Sequence, residues 1–273
     1  MRKIVGISQK IKRAWLDAVL DHLASTTNEK ELRAFLGEHL RKELPGTESR
    51  AKASGIITRI WCGVPARHVV LRDRALALLP QISSQERIWL HWGMMALAYP
   101  FFRDLAEVVG RLLTLQDDFT TPQVQARMIT TWGDRTTSKE AAQKLLTSLL
   151  DWQVLRSTKT KGHFLLARRM TTGVSDLQLW LLEVLLWAST AHEIEAQQLL
   201  RSPESFPFTF TASLGELRRY RGFTIHRQGL DTDMVALRNT KLDQPPKPLA
   251  KLRKPKMAEA AELVEPSLFD RQT

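Results

Sequence analysis

Four polar side chains lie along one face of a helix that is predicted in the middle of the chain. The helix is expected over residues 139–151, and its exposed face carries Lys139, Gln143, Lys144 and Thr147. Ammonium groups bind phosphate oxygens, whereas amides and hydroxyls can bond to phosphates or to the edges of bases. These residue types on one helix face are typical of a surface that contacts duplex DNA.

A basic hairpin is predicted directly after this helix. Two short apolar runs flank the turn in "RSTKTKGHF" (156–164), whose cations are Arg156, Lys159 and Lys161. The apolar runs explain why the hairpin folds, and the cations are not needed for that purpose. We therefore expect the cations to lie near phosphates or a minor groove.

The net positive charge of the chain is concentrated in the same region. The whole chain carries 40 Lys and Arg against 29 Asp and Glu, a formal net charge of +11. Between residues 127 and 169 there are nine Lys and Arg against three Asp and Glu, so more than half of the excess lies there. Such a concentration indicates a polyanionic partner, either nucleic acid or an anionic membrane surface. The predicted DNA-contacting residues are Arg127, Arg135, Lys139, Gln143, Lys144, Thr147, Arg156, Lys159, Lys161, Arg168 and Arg169.

Capping residues and apolar periodicity predict the helices that position these side chains. Thr121-Pro122 is expected to cap a helix over 122–131, and Ser138 is expected to cap the helix over 139–151. Another helix is predicted over 102–115 from its apolar pattern. In chain order the three helices are 102–115, 122–131 and 139–151, and the hairpin follows the last of them.

The resulting order is helix, helix, turn, helix, strand, basic turn, strand. It predicts a helix-turn-helix with a wing, the arrangement called a winged helix, in which the last helix enters the major groove of DNA. The turn over 133–137 is somewhat longer than the tightest form. A winged helix can also serve protein contacts, with a wing that is merely solvated, and the sequence leaves this alternative open.

Other segments predict helices before this unit and a mixed region after it. The first hundred residues show successive helical patterns, and an apolar helix is expected over 175–200. Short strands at 208–212, 223–227 and 234–237 are expected around a short helix at 214–221. We therefore expect a mostly α protein, with a helical bundle and a winged-helix module, followed by a small α+β unit and a disordered tail. The expected units are a helical N-terminal domain (1–100), the winged-helix DNA-binding module (101–173), a C-terminal helix with a small α+β unit (174–238), and a disordered basic and acidic tail (239–273).

Catalytic and metal-binding signatures are absent from the sequence. Cys62 is the only cysteine, which excludes an intramolecular disulfide and a cysteine-based zinc site. No Walker loop, GxGxxG, HExxH or GxSxG motif occurs. The segment His192–Glu195 is expected to be a solvated helix face, and His226 with Asp231 and Asp233 is expected to be a polar loop. We predict no enzymatic activity, no cofactor and no metal.

The most apolar segments are expected to form the core. Residues 88–102 and 177–187 are too short to span a bilayer. Tryptophans at positions 89, 92, 180 and 187 recur at helical spacing, which favours core packing over a ligand site. His91 is expected to be a hydrogen-bonded core residue. With no secretory signal visible, we expect a cytoplasmic protein without a membrane partner.

Three segments together resemble a known bacterial family. They are "GTESRAKASGIITRIWCGVPARHVVLRDRALALLP", "QERIWLHWGMMALAYPFFRDLAEVV" and "TSKEAAQKLLTSLLDWQVL". Over residues 46–166 the chain resembles the BrxA family of bacterial phage-exclusion (BREX) systems. The resemblance implies a helical, non-enzymatic DNA-binding accessory protein that places or regulates methyltransferase or ATPase partners on DNA. The unit at 203–237 and the tail depart from the family pattern. The alternatives are a protein–protein interaction scaffold and a stand-alone transcription regulator.

Overall fold

The computed structural model describes residues 5–24, 28–191, 193–229 and 231–238. In these residues the chain is mostly helical and carries two small antiparallel sheets of three strands each. The prediction of a mostly α protein is confirmed. The tail at 239–273, which the sequence predicts to be disordered, lies outside the described residues.

The first part of the chain is a succession of helices whose apolar residues recur every three or four positions. In α1, Trp15, Leu16, Val19 and Leu20 are all buried. Pro100 stands in the first turn of α6, where its missing N–H costs no hydrogen bond, so this helix begins before residue 102, the predicted start. The helices are α1 (Arg13–Leu23), α2 (Glu29–His39), α3 (Thr47–Trp61), α4 (Val69–Leu78), α5 (Arg87–Ala98) and α6 (Pro100–Leu115).

The middle of the chain combines helices with the first sheet. The predicted hairpin is confirmed, and β1 is a further strand that the sequence pattern does not indicate. Strand β3 is central, because Phe164 lies opposite Phe119 on one side and Ser157 on the other. The elements are β1 (Asp118–Thr120), α7 (Thr121–Trp132), α8 (Thr136–Asp151), β2 (Leu155–Ser157) and β3 (His163–Leu166).

Thr120 caps α7, one residue before the predicted cap. Its hydroxyl accepts a hydrogen bond from the Gln123 N–H at 3.4 Å. The Gln123 side-chain oxygen in turn accepts from the Thr120 N–H at 2.8 Å. Two N–H groups that the helix cannot satisfy internally are thus satisfied reciprocally.

Helix α8 begins at Thr136, earlier than predicted, and the predicted cap at Ser138 is wrong. Arg135 is the N-cap residue, without a side-chain capping bond. Ser138 lies inside the first turn, is buried, and has no hydrogen-bond partner for its hydroxyl among the described residues. Burial of this helix face against the core takes precedence over the capping preference of serine. The turn between α7 and α8 is therefore residues 133–135, shorter than the predicted 133–137.

The last part of the chain departs further from the prediction. The helix expected over 175–200 ends at Ala188, because Glu193–Glu195 pairs with β6 as a strand and does not form a solvated helix face. The strand expected at 208–212 is reduced, within the described residues, to an isolated bridge between Phe208 and Met170. The elements are α9 (Ser175–Ala188), β4 (Glu193–Glu195), α10 (Ala196–Leu200), α11 (Leu214–Arg219), β5 (Phe223–Gln228) and β6 (Thr232–Leu237), with sheet order β4-β6-β5.

Two hydrophobic clusters support these elements, and α9 contributes to both. The first cluster contains buried residues from Val5 to Phe208, and it includes side chains of both α5 and α6. The second lies between α9, α11 and the second sheet, where Leu182, Leu217 and Val235 are fully buried. The core interpretation of the tryptophans is confirmed at 89, 92 and 180, whereas Trp187 is only partly buried. Among the described helices, none has both the length and the apolar character needed to cross a bilayer.

Candidate functional site

Helix α8 has one exposed face and one face packed in the core. Lys139, Gln143 and Lys144 are exposed, and Thr147 is partly exposed. On the opposite side the side chains of Ala142, Leu145, Leu146 and Leu149 are buried. The helical spacing therefore separates the predicted polar residues from the core, as expected for an amphipathic helix.

The C-terminal end of α8 is held by the N-terminal segment of the chain. The Ile11 N–H donates to the Ser148 hydroxyl oxygen at 3.0 Å, and the Trp152 indole N–H donates to the Ile11 carbonyl at 3.0 Å. The Arg13 N–H donates to the Asp151 carboxylate at 2.9 Å. These bonds fix the end of the helix against a segment that is distant in sequence.

The β2–β3 hairpin presents Lys159 and Lys161 at an exposed tip. The Thr158 N–H donates to the His163 carbonyl at 3.0 Å, which closes the turn. Gly162 within the turn has a φ of 81°, a conformation that residues with a Cβ rarely adopt. Because the strands are anchored by buried apolar side chains and the tip is exposed, the two lysines are free to meet a partner.

The first sheet is further tied together by a polar contact between two side chains. The His163 Nδ1 lies 3.0 Å from an Asp118 carboxylate oxygen, across β3 and β1. The hairpin is thus connected to the strand that precedes α7. The helix and the hairpin are positioned as parts of one unit.

The cations of this region differ in whether a carboxylate compensates them. Lys139 pairs with Asp134, with 2.6 Å between the ammonium nitrogen and a carboxylate oxygen. Among the described residues, the predicted cations whose exposed side chains make no ion pair or hydrogen bond are Lys144, Arg156, Lys159 and Lys161. We call these four residues the uncompensated cations. They lie on α8, β2 and the hairpin turn.

Two predicted arginines support local structure. The Arg135 guanidinium donates to the Trp132 carbonyl at 2.8 and 3.2 Å, which stabilises the turn between α7 and α8. The Arg127 guanidinium donates to the Gln123 carbonyl at 3.2 Å within α7. Arg127 is exposed and Arg135 is half-buried.

The remaining predicted pair, Arg168 and Arg169, contacts other parts of the chain. The Arg168 guanidinium donates to the Gln85 side-chain oxygen at 3.4 Å, and that of Arg169 donates to the Phe206 carbonyl at 2.6 Å. Both line a cavity of about 380 Å³ near the start of α5, together with Trp89. The structure therefore does not bring this pair to the hairpin tip.

Glu140 is a residue of the exposed α8 face that the charge pattern alone does not single out. Its side chain is exposed and makes no ion pair or hydrogen bond with another described residue. The helical spacing that identifies Gln143 and Thr147 also places Glu140 on this face. Its negative charge sets it apart from the predicted cations, and its exposed helix position marks it as part of this face.

Among the residues that the structure describes, the predicted histidines are not grouped in a way that suits a metal ion. His91 is fully buried, and its Nε2 lies 2.9 Å from an Asp17 carboxylate oxygen, so its prediction as a hydrogen-bonded core residue is confirmed. Burial lowers the pKa of His91. His226 lies on β5, where its Nε2 is 3.4 Å from a Glu193 carboxylate oxygen. Within the described ranges, no three His, Cys, Asp or Glu side chains are grouped to hold a metal ion.

A larger cavity, of about 590 Å³, lies between α4, α9 and α11. At its edge the almost fully buried Glu183 carboxylate accepts hydrogen bonds from Arg74 at 2.7 and 2.8 Å and from the Tyr220 hydroxyl at 2.8 Å. Burial, reinforced by the Glu183 charge, raises the pKa of Tyr220 far above its usual value. These bonds satisfy the Glu183 carboxylate and the Tyr220 hydroxyl within the protein, whereas the Arg74 Nε has no hydrogen-bond partner among the described residues.

Comparison with protein-family models, with curated proteins and with solved structures finds no match for this chain. The site is therefore interpreted from its own residues. Its distinguishing property is an exposed polar helix face next to a hairpin with a basic tip.

Proposed function

We propose that the unit from α6 to β3 is a winged helix through which the protein binds duplex DNA. The observation that carries this proposal is the set of uncompensated cations on α8 and the adjacent hairpin. The element order α6, β1, α7, α8, β2, β3, with β3 central in the sheet, supports the winged-helix interpretation. Exposed cations without carboxylate partners are available to phosphates at no cost in broken ion pairs.

In this proposal α8 enters the major groove and the hairpin lies along the backbone. Lys144 on the helix, Arg156 on β2, and Lys159 and Lys161 at the hairpin tip contact phosphates. Each contact releases condensed counterions. The logarithm of the binding constant therefore falls linearly with the logarithm of the salt concentration, with a slope of about −0.9 for each phosphate contacted. Four such contacts give a slope of about −3.6.

We further propose that the protein is a non-enzymatic accessory component of a bacterial phage-defence system. The support is the resemblance of residues 46–166 to the BrxA family. In that role the protein acts in the cytoplasm and positions larger partners, a methyltransferase or an ATPase, on DNA. Purification of the protein from its native host, followed by identification of the proteins that remain bound, tests this part of the proposal.

The DNA-binding proposal is tested with a labelled duplex titrated by fluorescence anisotropy over a series of salt concentrations. The double variant Lys159→Glu/Lys161→Glu is expected to reduce the salt slope by about 1.8 and the affinity at 0.1 M salt by more than about tenfold. The control Lys30→Glu/Arg67→Glu makes the same change in net charge at exposed positions whose side chains form no ion pair with another described residue. It is expected to bind as the wild type does.

Two outcomes contradict DNA binding by this surface. One is the absence of binding at low salt, which favours a scaffold whose winged helix contacts proteins. The other is an equal loss of affinity in both double variants, which indicates a response to net charge alone. If binding is found, footprinting on promoter DNA separates an accessory protein from a stand-alone regulator.

A further inference from the structure

The exposed face of α8 has a central strip that is flanked by lysines. At about 100° per residue, and counted from Thr136, Gln143 lies near −20°, Thr147 near 20° and Glu140 near 40°. Lys139 and Lys144 lie outside these positions, near −60° and 80°. We call Thr136, Glu140, Gln143 and Thr147 the central strip.

This angular order matches the geometry of a helix inside a groove. The residues at the centre of the inserted face point to the floor, where the base edges are, and residues at its sides point to the walls, where the phosphates are. Lys139, whose ammonium pairs with Asp134, and Lys144 hold the flanking positions, one on each side. Hydroxyl, amide and carboxylate groups hold the centre.

Glu140 is the central-strip residue whose presence requires an explanation. A carboxylate on a phosphate-facing surface is repelled unless a donor meets it. Glu140 and Lys144 are four residues apart, the spacing of a favourable helical pair, yet no ion pair joins them, and Glu140 has no other partner among the described residues. Its carboxylate is thus available as a hydrogen-bond acceptor in the middle of the face.

The major groove offers few donors to such an acceptor. Cytosine presents its N4 amino group, and adenine presents its N6 amino group. In adenine the N7 lone pair lies next to N6 and repels a carboxylate, whereas cytosine has no acceptor on that edge. A carboxylate at the floor of the groove therefore selects cytosine.

We infer that Glu140 is a specificity-determining residue that accepts a hydrogen bond from the N4 amino group of a cytosine in the major groove. The inference rests on the proposed function, because it requires α8 to enter DNA. It goes further by predicting that binding depends on a C·G base pair at one fixed position. Since Glu140 is the fifth residue of α8, it lies in the N-terminal half that contacts bases in helix-turn-helix proteins.

The test begins with selection of bound duplexes from a randomised pool, using the full chain. The wild type is expected to enrich cytosine at one position. Glu140→Gln is expected to enrich adenine there, because a side-chain amide can bond to N6 and N7 together. Glu140→Ala is expected to show no preference at that position, and the control Glu31→Gln, at an exposed position on α2, is expected to select as the wild type does.

Affinities on the selected duplex then measure the effect. Replacing the C·G pair by T·A is expected to weaken wild-type binding by about 5- to 150-fold, the range for one good base contact. The same replacement is expected to leave Glu140→Ala unaffected. Because Glu140 is exposed, thermal unfolding of the variants should match the wild type, so a change of preference is not a folding defect.

The outcomes separate this inference from the proposed function. If the Lys159→Glu/Lys161→Glu variant loses binding while the Glu140 variants keep the wild-type base preference, DNA binding stands and the role of Glu140 is overturned. Wild-type binding that shows no base preference has the same meaning. If no binding occurs at low salt, the proposed function and the inference fall together.

Discussion

His68 shows at the scale of a single residue how burial couples stability to pH. The side chain is buried at the start of α4, with its ring edge-on to Trp187 at 5.7 Å between ring centroids. Neither ring nitrogen has a hydrogen-bond partner among the described residues. Burial, with a smaller contribution from the neighbouring Arg67, lowers the pKa of His68 to about 4. The folded protein therefore keeps this imidazole neutral.

The consequence is a loss of stability as the pH falls. Unfolded histidine takes up a proton below about pH 6.5, whereas folded His68 stays neutral until about pH 4. The unfolded state thus binds more protons in this interval, and His68 is expected to lower the free energy of unfolding by about 2 kcal/mol between pH 7 and pH 5. Urea denaturation of the wild type and of His68→Leu at pH 8, 7 and 5 measures this contribution.

The pH 8 values give the reference difference between the two proteins, because His68 is neutral there in both states. From pH 7 to pH 5 the wild type should lose more stability than His68→Leu. Parallel pH profiles would show that the buried imidazole is not the cause.

At the candidate site, helix periodicity predicts well which side chains of α8 are exposed. Closeness in sequence to the hairpin predicts less well which residues lie beside it in the structure. Lys139, Gln143 and Lys144 are exposed as predicted, because the apolar positions between them fix which face is buried. Arg168 and Arg169 follow the hairpin in sequence but contact Gln85 and the 203–206 turn. Their partners come from distant segments, which a local pattern does not contain.

At the scale of an element, α6 is distinguished by its close approach to another backbone. A Cβ at Gly110 would lie 2.0 Å from the Pro203 carbonyl oxygen. The 203–205 segment is a single turn of 3₁₀ helix, so the approach joins two backbones. Only a residue without a side chain permits this distance.

Two glycine-to-alanine substitutions in helices should therefore have opposite effects. Gly110→Ala is expected to lower the free energy of unfolding by about 1–3 kcal/mol, because α6 and the 203–205 turn must separate. Gly55→Ala in α3, where a Cβ meets nothing within 4 Å, is expected to raise it by about 0.5–1 kcal/mol through helix propensity. Urea denaturation measures the free energy of unfolding of both variants. A stabilised Gly110→Ala protein would mean that the close approach does not constrain α6.

The elements that the sequence mispredicts are those that tertiary contacts decide. The apolar pattern of α9 continues into residues 196–200, so local periodicity does not reveal that Glu193–Glu195 joins β6. Ser138 is a good capping residue, but its place on the buried face of α8 puts it inside the helix. β1 has only three residues and is too short to show an alternating pattern.

At the scale of the whole molecule, Arg74, Glu183 and Tyr220 connect the helical bundle to the small α+β unit. Arg74 belongs to α4, Glu183 to α9, and Tyr220 follows α11. The Arg74 and Glu183 side chains are only 14% and 2% exposed. A buried charge that loses its partner is strongly destabilising, so these groups depend on one another.

Removal of the carboxylate is expected to be costly. Glu183→Ala leaves the Arg74 guanidinium without its counter-ion and should lower the free energy of unfolding by about 3–5 kcal/mol. The control Glu29→Ala removes an exposed pair with Arg33 on α2, side chains 51% and 55% exposed, and should change it by less than about 0.5 kcal/mol. Guanidinium denaturation followed by tryptophan fluorescence compares the two variants. Similar losses of unfolding free energy would show that the buried network contributes no more to stability than the exposed ion pair.

The bonds between Ile11 and the end of α8 also set an order of events during synthesis. Their partners, Ser148 and Trp152, are 137 and 141 positions further along the chain. At a synthesis rate of about 5–20 residues per second, the Ile11 amide and carbonyl stay hydrated for roughly 7–30 s before those partners exist. Contacts of such long sequence separation also close late, because the entropy of the intervening loop must be lost first. The end of α8, the helix proposed to enter DNA, is therefore fixed among the last steps of folding, even though Ile11 is synthesised long before the helix.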